Sequence, residues 1–250
     1  MPATVASTTK PPGSLAARWS LIFGLAAPSL AVGGAYLASR ELADPFIAFR
    51  IFGLALPIGV LGLVIGWVGL LRARGERNPR AKRASFAGSI LSVLTLSGVV
   101  GLGLPSAGFP LINDITTDLA DPPQFLKVAQ LEANRGRDMS YPQSFAEQQR
   151  AGFPNLEGRV LAVAPEQAID RARAALESLP GTEVIDVDFA AGRLEAISVS
   201  RVFRFVDDVV VRVRPEGSGS RIDMRSKSRV GKGDLGANAA RIEGFMLALR

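Results

Sequence analysis

The chain has 250 residues, 29 Lys/Arg against 23 Asp/Glu and a net charge of +6, and it contains neither cysteine nor histidine. Disulfides, thiolate nucleophiles, zinc–sulfur sites and imidazole acid–base chemistry are therefore excluded. Residues 1–112 carry ten Lys/Arg against three Asp/Glu, whereas residues 113–250 carry 19 against 20, so the positive excess marks membrane topology and no nucleic-acid partner is assigned.

Residues 1–17 are polar, Pro-containing and without period, which predicts a flexible tail. Three uncharged runs follow at about 19–39, 51–71 and 85–104. Each is long enough to cross a bilayer core, which needs about 20 apolar residues. A cleaved signal peptide is the competing reading of the first run, with Ala35-Tyr36-Leu37-Ala38 as a faint cleavage site. Its apolar stretch, however, exceeds the roughly 7–15 residues of a signal core. The expectation is a three-helix transmembrane anchor over 18–108 and a soluble domain over 109–250.

Residues 72–83 between the second and third runs carry Arg72, Arg74, Arg77, Arg80, Lys82 and Arg83 against Glu76. The positive-inside rule puts this loop and the N-terminus in the cytoplasm. Trp19 and Trp67 then fall at the cytoplasmic interface, and the soluble domain is extracytoplasmic, periplasmic in a cell with two membranes. Small-residue spacings such as Gly59-x-x-Gly62 and Gly62-x-x-x-Gly66 permit helix association.

Residues 105–164 are punctuated by prolines and read as an extended strap with a short helix near 124–132. Residues 166–178 place Ala168, Ile169, Ala172, Ala175 and Leu176 on one stripe, with Leu179 following, which predicts an amphipathic helix. Strands are predicted at 183–189, 193–202, 209–214 and 221–228, and a last helix starts at Asp234 with Leu235, Ala239, Ile242, Phe245, Met246 and Leu249 as its apolar face. Short connections between the strands give a membrane-anchored α+β protein: three N-terminal transmembrane helices, then an antiparallel sheet of about four strands packed by helices.

The second hairpin is legible residue by residue. With Val213 opposite Ile222, Val211 pairs with Met224, Val209 with Ser226 and Asp207 with Ser228 on the core face. The other face sets Arg212 against Asp223, Val210 against Arg225 and Asp208 against Lys227. The open end collects Asp207, Asp208, Arg225, Ser226, Lys227, Ser228 and Arg229. As structure, these are cross-strand ion pairs that fix register, Arg212 with Asp223 and Asp207 or Asp208 with Arg229. As a site, they join the loop 228–241, where Arg229, Lys232 and the N-terminus of the last helix suit an anionic small ligand. Asp234, as N-cap, competes for that helix end.

Gly231, Gly233 and Gly236 match GxGxxG formally, but no parallel βαβ unit surrounds them and only 14 residues follow Gly236, so no dinucleotide cofactor is assigned. Asp114, Asp118 and Asp121, with Asp207 and Asp208, offer oxygens to a hard cation, but the spacing is not that of an EF-hand loop and no metal is assigned.

The stretch Asn113-Asp114-Ile115-Thr116-Thr117-Asp118 with Pro122-Pro123, then Asp207-Asp208-Val209, then Arg225 through Gly231 with Asp234-Leu235-Gly236, Asn238 and Arg241-Ile242, resembles the bacterial domain-of-unknown-function family 1499 over about 113–250. The resemblance implies a small extracytoplasmic or membrane-tethered domain without an assigned activity. Its polar positions here are Asp114, Thr116, Thr117, Asp118, Asp207, Asp208, Arg225, Ser226, Ser228, Arg229, Asp234, Asn238 and Arg241. The anchor lies outside it.

The functional expectation is a membrane-tethered binding or interaction module of the cell envelope, in the inner membrane, touching lipid and either another envelope protein or an anionic ligand. No catalytic residue is assigned. Two alternatives stand beside it. One is a hydrolase-like enzyme pairing the carboxylates of Asp207 and Asp208, with a divalent cation and Ser226 or Ser228. The other is a structural partner that docks through its spans.

Overall fold

The three apolar runs form helices long and apolar enough to cross a membrane, over Leu15–Ser39, Pro45–Arg72 and Pro79–Gly103. The computed structural model describes residues 14–75, 78–104 and 107–249. Most of the expected tail, with Lys10, and Glu76 and Arg77 of the basic loop lie outside the described residues. Two units divide the chain, Met1–Pro105 and Ser106–Arg250.

In the first unit α1 spans Ser14–Ser39, so helix begins inside the stretch expected to be tail. The second span is two helices, α2 (Pro45–Gly53) and α3 (Ala55–Arg72), interrupted at Leu54. Pro57 accounts for the break, because it has no N–H to donate to Gly53 and its ring crowds that carbonyl. Asp44 caps α2 by accepting from the N–H groups of Phe46 and Ile47 at 2.9 and 3.1 Å. Arg50, expected to precede the span, lies within it and stacks on the Phe46 ring at 4.5 Å.

Helix α4 spans Pro79–Gly103, and its small residues meet those of α1 and α3. Gly59, Gly62, Gly66 and Gly69 of α3 are buried, as are Ser85, Gly88, Ser89 and Ser92 of α4. The Ser20 hydroxyl donates to the Gly62 carbonyl at 3.1 Å. The small-residue spacing thus packs the chain against itself, the arrangement that bilayers favour because lipid tails give apolar side chains no reason to associate.

A Cβ on Gly88 would collide with the Ser20 backbone, while one on Gly98 would meet nothing. Gly88→Val is therefore expected to lower the thermal stability of the detergent-solubilised bundle by about 1–3 kcal/mol, the usual cost of overpacking. Gly98→Val should leave it unchanged.

The second unit is built on a six-stranded antiparallel sheet, against the expected four or so. The expected strands are β3 (Thr182–Asp188), β4 (Arg193–Val199), β5 (Val206–Glu216) and β6 (Gly219–Ser228). The additional two, β1 (Asp114–Thr116) and β2 (Arg159–Leu161), are three residues each. Both come from the Pro-rich strap and pair with β6, so the strap lies on the domain. The strap's expected helix is a pair of 3-10 turns, Val128–Gln130 and Glu132–Asn134. It also holds α5 (Phe145–Gly152), which no apolar period announces.

The β5–β6 register is the one expected at all seven pairs, from Asp207 opposite Ser228 to Val213 opposite Ile222. Helices α6 (Pro165–Ser178) and α7 (Ala237–Ala248) cover one face. Ile169, Leu176, Ile242 and Phe245 bury there against Val209, Val211, Val213, Ile222 and Met224. The strap covers the opposite face around Phe125, Val128 and Val210.

Helix α7 begins at Ala237 rather than Asp234, because Leu235 and Gly236 both take positive φ, 57° and 84°. Leu235 is consequently not part of the helix's apolar face. It stands 61% exposed.

Candidate functional site

Two covers over one sheet decide where the polar residues go. Side chains alternate along a strand, so neighbours in β5 and β6 point to opposite layers. The polar end of the hairpin becomes two separate buried networks.

The helix-side network centres on α7. Asp207 and Arg241 form an ion pair at 2.6 Å. Arg241 also donates to the Ser226 hydroxyl at 2.9 Å and to the Asn238 side-chain carbonyl at 2.8 Å. Ser226 donates to that same Asn238 oxygen at 2.6 Å, and the Asn238 amide donates to the Ser228 hydroxyl at 3.0 Å. Asp234 accepts from the N–H groups of Gly236 and Asn238 at 3.0 and 2.8 Å. It therefore occupies the helix N-terminus that the anion-site reading needs. Burial, reinforced by the charge of Asp207, pushes its carboxyl above the ordinary aspartate value despite those N–H bonds.

The strap-side network centres on Arg225, whose side chain is fully buried. Its guanidinium grips both oxygens of Asp114 at 2.8 Å and donates to the carbonyls of Pro123 and Met139 at 3.2 and 2.9 Å. It lies 4.7 and 5.6 Å from the ring centroids of Phe125 and Tyr141. Bidentate pairing and aromatic stacking are what a planar guanidinium does best. Lys227 reaches Asp114 as well, at 2.8 Å. Burial first, and then the Asp114 charge, push the Tyr141 hydroxyl up to about 12, so it stays a neutral donor to Gln149.

Asp208 is fully buried on this side. Arg229 holds one of its oxygens at 2.7 Å, and the other accepts from Asn134 at 3.0 Å and Arg137 at 3.3 Å. Further along the sheet, Asp223 takes Arg212, Arg214 and Arg221 at 3.5, 3.1 and 3.1 Å and the Thr117 hydroxyl at 3.2 Å. Asp118 meets Arg212 and Arg214, each at 3.0 Å. Partial burial raises the Asp118 carboxyl, but the N–H groups of Asp121 and Ala120 and the two arginines outweigh it and hold the group below the ordinary value. The Thr116 hydroxyl accepts from the Asp118 N–H at 3.3 Å, and the Thr116 backbone is bracketed by the Gln149 amide at 3.1 and 2.6 Å.

The residues expected to form one site are thus divided. Asp207, Ser226, Ser228, Asp234, Asn238 and Arg241 lie on the helix side, while Asp208, Arg225 and Arg229 face the strap. Of the secondary cluster, Asp114 joins Arg225, Thr117 joins Asp223 and Asp118 joins the arginines of β5. Both expected register pairs form, Arg212 with Asp223 and Asp208 with Arg229. Among the described residues, no group of three or more Asp or Glu is placed to hold a metal ion.

Glu195 escapes sequence reasoning. It is fully buried in β4, accepts from the N–H groups of Leu126, Lys127 and Val128 at 2.9, 3.0 and 2.9 Å, and lies 3.1 Å from the Arg193 guanidinium. Its only signal is an acid between apolar residues in a strand. A small open cavity of about 270 Å³ lies beside α7, lined by Phe109, Phe153, Leu156, Ala239 and Glu243 among others.

A three-span helical anchor joined to an antiparallel sheet clad on both faces, with its charges neutralised inside, defines a membrane-anchored α+β protein. Residues 114–249 match the family described as Protein of unknown function (DUF1499), and the chain belongs to that family. No curated protein and no solved structure shows significant similarity to it.

Proposed function

We propose that this protein is a membrane-tethered, extracytoplasmic interaction module of the cell envelope, non-enzymatic, in which the polar residues of β5, β6 and α7 shape the domain rather than turn over a substrate. The observation that carries this reading is the divergence of Asp207 and Asp208. Adjacent residues of one strand cannot share a proton or a cation, and each is held by its own arginine. Acid–base catalysis by a carboxylate pair needs both groups facing one reacting centre.

The basic side chains Arg72, Arg74, Arg80, Lys82 and Arg83 support a cytoplasmic second connection, and with it an extracytoplasmic domain. A reporter active only outside the cytoplasm, fused after Leu249, should be active, whereas the same reporter fused within 72–83 should be silent. The reverse pattern would place the domain in the cytoplasm.

Asp208→Asn separates the two functional readings. It removes the charge that the partly buried Arg229 and Arg137 share, and a hydrogen bond to a charged group is worth about 1.5–3 kcal/mol. The expected result is a large drop in the unfolding midpoint of the C-terminal unit. A variant that folds with unchanged stability would return the carboxylates to candidacy as catalytic groups.

A further inference from the structure

Three loops converge where the strap enters the sheet. Antiparallel pairing sets the start of β1 and β5 beside the end of β4 and β6. Residues 107–113, 200–205 and 229–236 therefore share one end. Their contact is direct: Ser228 N–H donates to the Asn113 carbonyl at 2.8 Å, Arg229 N–H to Val206 at 3.0 Å, and Asp234 N–H to Ile112 at 3.3 Å. The Asn113 side chain reaches the Gly231 carbonyl at 2.6 Å.

These loops display apolar side chains that the core does not use. Leu111 is 69% exposed, Val202 46%, Val230 45% and Leu235 61%. Between them stand Arg201 and Lys232, both exposed. Asp234 is the sole acid in the three loops, and its carboxylate is turned to the α7 backbone. At the opposite end the β5–β6 turn exposes only polar groups and Pro215, and Phe189 stands alone in the β3–β4 turn.

We infer that this end is a second membrane contact, a lipid-facing surface that seats Leu111, Val202, Val230 and Leu235 in the bilayer interface and sets Arg201 and Lys232 against anionic headgroups. The covalent structure keeps this end within reach of a bilayer. Leu111 follows Gly103, the last residue of the third span, by eight residues, a contour of at most about 28 Å. Apolar side chains interleaved with cations are the composition that binds an anionic interface. A second copy of the chain is a poorer occupant, because a self-complementary contact would bring like charges together. The inference goes beyond the interaction-module reading and rests only on the span assignment.

The native chain has no cysteine, so one can be introduced and labelled with an environment-sensitive fluorophore. The full chain carrying Val230→Cys, or Ser218→Cys in the β5–β6 turn, is placed at one molecule per nanodisc, in phosphatidylcholine alone or with added phosphatidylglycerol. With the anionic lipid, the label at 230 should be reduced by aqueous dithionite about tenfold more slowly than at 218, and Arg201→Glu with Lys232→Glu should abolish the difference. Equal rates at the two positions overturn the proposal. So does shielding that survives charge reversal or requires two molecules per disc. The only tryptophans, Trp19 and Trp67, lie in the spans, and their quenching by brominated lipid reports insertion separately, so a lost anchor is distinguished from an undocked domain.

Discussion

Arg225→Met is expected to strip the C-terminal unit of a large share of its stability. The substitution keeps much of the stem volume and removes the charge. The buried Asp114 carboxylate is then left with Lys227 alone, and the carbonyls of Pro123 and Met139 lose a donor. Breaking one side of a buried ion pair costs about 3–5 kcal/mol, and a domain's whole stability is about 5–15 kcal/mol. Limited proteolysis of the full chain checks it, since the variant should lose residues 106–250 rapidly while the spans survive. Arg225→Met combined with Asp114→Asn should deepen the loss, because the buried Lys227 then loses its carboxylate as well. An unchanged proteolysis rate in the single variant would show that the pair contributes little.

Glu195→Ala should have the second largest effect, and a localised one. A single carboxylate accepts three consecutive backbone N–H groups at the start of the 3-10 turn and so fastens the strap to β4. A hydrogen bond to a charged group contributes about 1.5–3 kcal/mol, and buried N–H groups left without an acceptor add their own penalty. The expected loss is about 3 kcal/mol or more, with Glu195→Gln intermediate. Hydrogen exchange locates it: the amides of Leu126, Lys127 and Val128 should lose protection while those of α6 keep theirs. Uniform loss across the sheet would instead mean that strap and sheet open as one unit.

The contrast between these residues explains what the sequence discloses. Spans, α6 and the β5–β6 register follow from local rules of length, period and alternation, and each formed close to where it was expected. Strands β1 and β2 did not announce themselves, since three residues are too few to alternate. Arg225-Ser226-Lys227-Ser228 reads as a solvated end only if one face of the sheet is taken to meet water. The strap covers that face, so a polar run in β6 denotes buried partners in two layers. Alternation alone separates Asp207 from Asp208, and grouping them as a pair ignored it. Nothing local names the strap partners of Glu195 or Arg225, because the N–H groups of 126–128, the Asp114 carboxylate and the carbonyls of Pro123 and Met139 belong to a segment far away in the chain.

The pairing of β1 with β6 also sets the order in which the domain is assembled. Asp114 emerges directly behind the third span, yet its opposite number, Lys227, is synthesised 113 residues later. Until then the segment has neither its ladder nor a counter-ion for Asp114. Loop closure over that distance is slow, so the sheet cannot close on β1 until β6 has been made. A nascent chain cut short before β6 is therefore unable to complete its sheet and leaves β1 and β2 without a partner strand.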